Sequence, residues 1–258
     1  MNIFSMMTSW SPYRIFSLGD SALTLDFGNV IDENINRQVM ALFSHFQNNP
    51  LPGMIEAVPA YSSLTIYYDM LQLRKTISAD KTVYDWLAEQ LRQKLEGPIA
   101  KTNTSSRLIT IPVCYEKEFG WDIEEVAALK NISIDELIQI HTSNTYRVFM
   151  LGFLPGFAYM GEVNNRIEFP RKKQPRQKVE AGSVGIAGKQ TGIYPLAAPG
   201  GWQIIGRTPI TIFNAEQETP VLFQTGDSVK FYAISKRDFY EIQNSPSPFM
   251  ESGLEGEV

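Results

Sequence analysis

Most of the residues that announce familiar chemistry are scarce in this sequence. Of its 258 residues one is cysteine, Cys114, and two are histidine. A lone cysteine forms no internal disulfide, and no metal-ligand spacing surrounds it. It lies in LITIPVCY, which alternates like a strand, so it is expected to be a buried and inert thiol. Two histidines exclude a multi-histidine metal centre, and no metal site is expected. No apolar run approaches the ~20 residues needed to span a bilayer. The opening MNIFSMMTSW has neither the basic start nor the long apolar run of a signal peptide, so a cytoplasmic protein is expected. The Asn-x-Ser/Thr matches at Asn103 and Asn131 are then chance. Positive charge is not in excess: 23 Lys and Arg stand against 28 Asp and Glu, a net charge of −5, which disfavours nucleic acid and anionic membrane as partners. There is no G-x-S-x-G elbow and no evident Ser-His-Asp set. GIAGKQT is not a phosphate loop, because Ser183 replaces the first glycine and Gln190 the magnesium-binding Ser/Thr.

What is present is ordinary globular composition, 43% hydrophobic and 20% charged, in a chain long enough for one large domain or two modest ones. YRIFSLGDSALTLDFG (13–28) reads as two strands around a Gly-Asp turn. Ile35, Val39, Leu42, Phe43 and Phe46 mark one helical face, ended by NNPLPG. MIEAVPAYSSLTIYYD (54–69) reads as a strand pair. A second helix carries Val83, Trp86, Leu87, Leu91 and Leu95. The expected order, β-β-α-β-β-α, is a small α/β sandwich over residues 1–100, and the polar EGPIAKTNTSS (96–106) is the candidate linker. RLITIPVCY begins the second part. Asp122 with Glu125, and Ser133 with Glu136, have capping-box spacing and predict two short helices. From 146 onward helical periodicity disappears, and short strand-like runs between Gly and Pro turns predict a closed or nearly closed β-barrel over 101–240. The tail, 241–258, is expected to be disordered.

The candidate functional residues concentrate between 141 and 209. His141 falls on the apolar face of its helix, with Ile134, Leu137 and Ile138, and reads as a packed histidine or a functional one. GFLPGFAYMG (152–161) puts three glycines, one proline and three aromatics into ten residues. Phe157 and Tyr159 stand in this stretch, which is either an aromatic-walled rim or plain barrel closure. Residues 166–189 hold seven basic side chains against two acidic ones, in a protein of opposite net sign. The run is punctuated as P-R-x-x-x-P-R, so that prolines restrain Arg171 and Arg176, and an arginine fork suits a carboxylate or phosphate. Seven glycines between 182 and 206 either admit a ligand close to backbone N–H groups or serve the bends of a tightly coiled barrel. Trp202, in YPLAAPGGWQIIGRTP, either covers the barrel interior or forms a pocket wall.

HTSNTYRVFMLGFLPGFAYMG, PRKKQPRQKVEAGSVGIAGKQTGIYPLAAPGGWQIIGRTP and the early GDSALTLDFG closely resemble the allophanate hydrolase subunit 1 family. This is the family of PxpB-type subunits of bacterial 5-oxoprolinase and of KipI-type inhibitors of sporulation kinases. The resemblance runs from about residue 13 to 240. One departure is Glu180, where the family usually reads V-P-A-G-S. The resemblance implies an α+β chain, an N-terminal α/β domain followed by a C-terminal cyclophilin-like β-barrel. It implies two partners, a second subunit with cyclophilin-like barrels (PxpC-like) and a third, lactam-opening subunit (PxpA-like). The complex would open 5-oxo-L-proline to L-glutamate with ATP and magnesium, by way of carbonyl phosphorylation. This chain is expected to be inactive alone, and no cofactor is assigned to it. Such chemistry needs cations and carboxylate donors. By spacing, Arg171, Arg176, Lys189 and Arg207 are the candidate cations, Gln190 and Tyr194 would orient the lactam, and His141 would move a proton or hold the rim. Arg207 is expected beside Trp202. The alternatives are a KipI-like inhibitor that binds a histidine kinase and blocks its autophosphorylation, and a subunit of an allophanate or urea-amide hydrolase system.

Overall fold

The computed structural model describes residues 6–7, 10–97, 99–100 and 107–245. The chain divides into two compact units, residues 1–105 and 106–258. In the first, β1 (Met6–Met7), β2 (Arg14–Ser17), β3 (Ala22–Asp26), α1 (Glu33–Asn48), β4 (Met54–Pro59), β5 (Ser63–Tyr68), α2 (Met70–Arg74), α3 (Val83–Glu96) and β6 (Ile99–Ala100) follow in order. Four strands form an antiparallel sheet, β2-β3-β5-β4. Alternation puts Leu23 and Leu25 of β3 and Leu64 and Ile66 of β5 on one face. There they share a core with Val39, Leu42 and Phe46 of α1 and Leu87 and Leu91 of α3. The predicted strands and both long helices are present. Helix α2, started by Asp69 accepting the Gln72 N–H at 2.8 Å, was not anticipated. The candidate linker opens differently from the expectation: Glu96 closes α3, and β6 pairs antiparallel with β1. Pro98 and residues 101–106 lie outside the described residues.

The second unit holds β7 (Leu108–Val113), α4 (Ile123–Lys130), α5 (Ile134–Ser143), β8 (Thr145–Leu151), β9 (Ala158–Gly161), β10 (Arg176–Val179), β11 (Ser183–Ala187), β12 (Gln190–Ile193), β13 (Ala198–Gly200), β14 (Gln203–Arg207), β15 (Ser228–Ala233) and α6 (Lys236–Gln243). Seven strands make one sheet in the order β14-β11-β12-β9-β8-β15-β7. Its two outer strands meet. Cys114, just past β7, exchanges both backbone hydrogen bonds with Arg207 of β14, at 2.8 and 2.9 Å. That bridge brings the two ends of the sheet together and nearly closes it into a barrel. The inner face carries Val148, Met160, Val184, Ile186, Ile193, Val229 and Phe231. The expected barrel is therefore observed, and Cys114 is a buried thiol whose pKa burial pushes up. The pair β10 and β13 forms a separate antiparallel ribbon.

Three details differ from the expectation. Asp122 precedes α4 but makes no cap hydrogen bond with its side chain, because that carboxylate is engaged elsewhere. At α5 only half of the capping box forms. Ser133 Oγ accepts the Glu136 N–H at 3.1 Å, while the Glu136 carboxylate turns to Arg166 at 2.5 Å. Helix returns near the end, in α6, where Ser235 and Asp238 form a complete capping box. The tail expected to be disordered from 241 therefore begins inside a helix, and residues 246–258 lie outside the described residues.

Candidate functional site

The outward-facing positions of the nearly closed sheet carry the predicted aromatic residues. Strand alternation sends Met160, Thr191 and Val184 inward and leaves Tyr159, Gly192 and Gly185 on the outer face. Gly185 and Gly192 stand opposite each other, and Trp202 lies across them. A methyl group on Gly192 would meet the Ala158 carbonyl oxygen at 2.8 Å and Trp202 Cζ3 at 3.2 Å. Two adjacent glycines thus make a flat floor for the indole. Phe157 packs edge-on to Trp202 at 5.3 Å, to Tyr194 at 5.4 Å and to Tyr159 at 4.8 Å. These contacts place Trp202 as a wall on the outside of the barrel, not as a lid on its interior. The backbone N–H of Trp202 donates to the Tyr194 hydroxyl.

Arg171 completes this cluster. Its guanidinium lies 5.8 Å from the Trp202 ring, within cation–π range, and forms no ion pair with any described residue. Burial pushes the phenols of Tyr159 and Tyr194 up, and the Arg171 charge pulls both down. Above Phe157 stands Phe153, 61% exposed and edge-on at 5.6 Å. Its φ of 71° is a left-handed conformation that a bulky side chain adopts at a cost of about 1–3 kcal/mol. Phe153 and Arg171 thus reach the same cluster through different members, Phe153 through Phe157 and Arg171 through Trp202.

The other candidates separate from it. Arg176 is half-buried and spends its charge on Asp122, with Nη2 to Oδ1 at 2.6 Å, while its guanidinium lies 5.4 Å from the Trp121 ring. Lys172 joins the same oxygen at 2.8 Å, and the Ile204 N–H donates to Asp122 Oδ2 at 2.7 Å. Burial alone would push the Asp122 carboxyl up, but these three donors hold it below the usual carboxylate range. Lys189 sits in the exposed turn between β11 and β12, with Glu162 at 3.9 Å. Gln190, half-buried, starts β12 opposite Gly161. The turn leads into β12 and not into a helix. Arg207 is not beside Trp202. The two stand at opposite ends of β14, five residues or roughly 16 Å apart along an extended strand. Glu180 pairs with Lys178 at 2.8 Å, and the turn before Gly182 keeps its Ser183 N–H to Glu180 C=O bond at 3.2 Å.

His141 is fully buried. Its ring stacks on Phe231 at 4.7 Å, with Tyr115 Oη 2.7 Å from Nδ1 and Thr191 Oγ1 3.0 Å from Nε2. Thr191 donates its hydroxyl hydrogen to Gly185 C=O at 3.0 Å. It therefore accepts from Nε2–H, and Nδ1 accepts from Tyr115. Burial pushes His141 down to about 3. This is a neutral core histidine with both nitrogens satisfied, and it presents nothing to a ligand.

Sequence reasoning missed Asp122 as an ion-pair centre and Phe153 as an exposed rim residue. Asp122 carried a helix-start signal that the structure uses differently, and positive φ at Phe153 has no signal in its residue type.

Comparison with known proteins agrees with this architecture. Residues 13–223 match the carboxyltransferase domain, subdomain C and D, family. The chain is 43% identical over 229 residues to the B subunit of 5-oxoprolinase from Bacillus subtilis, covering 88% of this chain and 95% of that protein. Identity to the B subunit of 5-oxoprolinase from Escherichia coli O157:H7 is 35%, over 84% and 94% of the two chains. Among solved structures, TTHA0988 superposes with a TM-score of 0.69 at 36% identity, covering 83% of this chain. This chain spans 40% of the length of that structure. By sequence and by fold, the chain belongs to the carboxyltransferase subdomain C and D family and, within it, to the B subunits of 5-oxoprolinase.

Proposed function

We propose that this chain is one subunit of an ATP-dependent 5-oxoprolinase that opens 5-oxo-L-proline to L-glutamate. The observation that carries the reading is the likeness to the B subunit of 5-oxoprolinase along nearly the full length of both chains. The geometry supports it through the rim. A lactam carbonyl is a poor electrophile, and phosphorylation of its oxygen makes water attack feasible. In this reading the nucleotide is held by the assembled complex, with magnesium. The chain's own contribution is the surface of Arg171, Trp202, Phe157, Tyr159 and Tyr194. Arg171 offers a cation to the substrate carboxylate or to developing phosphate charge, and the aromatic wall excludes water from an activated intermediate. Tyr159 and Tyr194 remain neutral hydrogen-bonding groups there. Gln190, at the start of β12, is the remaining candidate for orienting the lactam.

The partners are a second subunit with cyclophilin-like barrels and a third, lactam-opening one, in the cytoplasm. Co-expression and size-exclusion chromatography test the assembly. The reading expects this chain to elute with the second subunit. A chain that ignores both partners and instead blocks autophosphorylation of a sporulation histidine kinase would be a KipI-like inhibitor. Assembly with a biotin-dependent carboxylase would make it part of a urea-amide system.

A further inference from the structure

At the far end of β14 from Trp202 is a cavity of about 250 Å³ whose lining includes Trp121, Ser183, Arg207, Phe239 and Tyr240. Ser183 of β11 and Arg207 of β14 are directly opposite each other, so their side chains share one face of the sheet. Arg207 donates Nε–H to the Ala181 carbonyl at 2.8 Å. That bond fixes the guanidinium plane and leaves both Nη groups without a partner among the described residues. Ser183 is 1% exposed, and its hydroxyl makes no hydrogen bond to any described residue. The Ser183 hydroxyl and half of the Arg207 fork, neighbours at one cavity and without a partner among the described residues, are donors open to an acceptor that enters it. The acids nearby do not supply it. Glu118, on the lining, is taken by Lys236 and by the Tyr240 hydroxyl, and Glu180 is taken by Lys178.

We propose that this cavity is a carboxylate site for an amino-acid-sized monoanion. The Nη pair of Arg207 and the Ser183 hydroxyl hold the carboxylate, and Trp121 and Tyr240 cover the flat or apolar body. One guanidinium matches one negative charge, and Glu118 at the rim disfavours a dianion. Phe239 and Tyr240 come from α6, which builds one wall of the site. The choice of probe rests on the proposed function, which supplies 5-oxo-L-proline and L-glutamate as ligands of this class; the site itself does not.

Isothermal titration of the full chain alone, without ATP or partners, tests this. The probes are 5-oxo-L-proline, L-glutamate, the neutral amide of 5-oxo-L-proline, and inorganic phosphate. The expected result is saturable binding of at least one carboxylate and none of the amide. Arg207→Gln should weaken that binding about tenfold or more, and Ser183→Ala about threefold. Lys173→Ala, which removes an exposed lysine outside this cavity and outside the aromatic rim, should leave it unchanged. If Arg207→Gln does not fold, Ser183→Val, which fills the cavity from the strand, carries the same expectation of loss. No saturable carboxylate binding overturns the proposal, as does binding that Arg207→Gln leaves intact or a preference for phosphate. Because the titration uses the chain alone, its failure is separate from a failure of lactam opening in the complex.

Discussion

Arg176 Nη2 lies 2.6 Å from Asp122 Oδ1, and the two form an ion pair in which the carboxylate is almost wholly buried. Lys172 reaches the same oxygen. One acid in front of α4 therefore holds a five-residue segment at both ends. Arg171, the residue immediately before that segment, is left to stand over Trp202. The basic run thus divides: Lys172 and Arg176 fasten it down, and Arg171 forms no ion pair with a described residue.

Replacing Asp122 by Ala strands both cations in a partly buried place. Loss of one partner of a buried pair costs about 3–5 kcal/mol, and here about 2–4 kcal/mol is expected because Lys172 and Arg176 keep some contact with water. Urea unfolding of the variant checks this. The pH dependence has a definite sign. The folded-state pKa of Asp122 is depressed, so its contribution is present above the ordinary carboxylate pKa of about 4 and is lost as pH falls below it. An Asp122→Asn variant should show a shallower loss of stability below that pH than the parent.

His141 governs a higher window. Its folded pKa is about 3, against about 6.5 in an unfolded chain. Unfolded chains then bind the proton first. Stability from the neutral ring is complete above pH 6.5 and falls as pH drops from there toward 3, by about 1.4 kcal/mol per pH unit. Proton NMR of the ring should show no titration between pH 5 and 8. Observing His141 titrate in that range would place it at an accessible site.

Gly192→Ala should disturb the rim without touching a charged residue. The added methyl meets backbone at Ala158 and the edge of Trp202, and overpacking of this kind costs about 1–3 kcal/mol. The indole must lift from its floor, so Trp fluorescence should shift to longer wavelength along with the drop in unfolding midpoint. An unchanged spectrum and midpoint would show that Trp202 does not rest on Gly192.

Arg171 and Arg176, equivalent in the sequence, should separate in experiment. Arg171→Ala should reduce activity of the assembled complex about tenfold or more while the melting temperature of the chain changes little, since Arg171 makes only an exposed cation–π contact with Trp202. Arg176→Ala should lower the melting temperature as well, because Asp122 loses its partner. Parallel activity and thermal-melt measurements on both variants decide it.

Much of the architecture was legible because it rests on periodicity. Leu42 and Phe46, or Val184 and Ile186, are apolar at the spacing that their element dictates. The aromatic rim was half legible: Phe157, Tyr159 and Trp202 are rare residues in a glycine-rich setting, and the structure brings them together. What spacing could not show was direction. Trp202 and Arg207 are five residues apart in sequence, but an extended strand carries them to different ends of the sheet. Asp122 has the spacing of a capping residue, and only the fold brings Arg176, 54 positions later, to claim its carboxylate. His141 was ambiguous because an apolar helical face can line a core or a pocket, and the partners that settle it, Tyr115, Thr191 and Phe231, come from distant parts of the chain.

The central claim is that this chain is a working part of a 5-oxoprolinase. The measurement that tests it is L-glutamate released from 5-oxo-L-proline with ATP by the three purified subunits together, then with each one omitted in turn. The account predicts glutamate from the full mixture and none when this chain is left out or is present alone. Full activity without this chain, or none from a complex that has assembled with it, would contradict the claim.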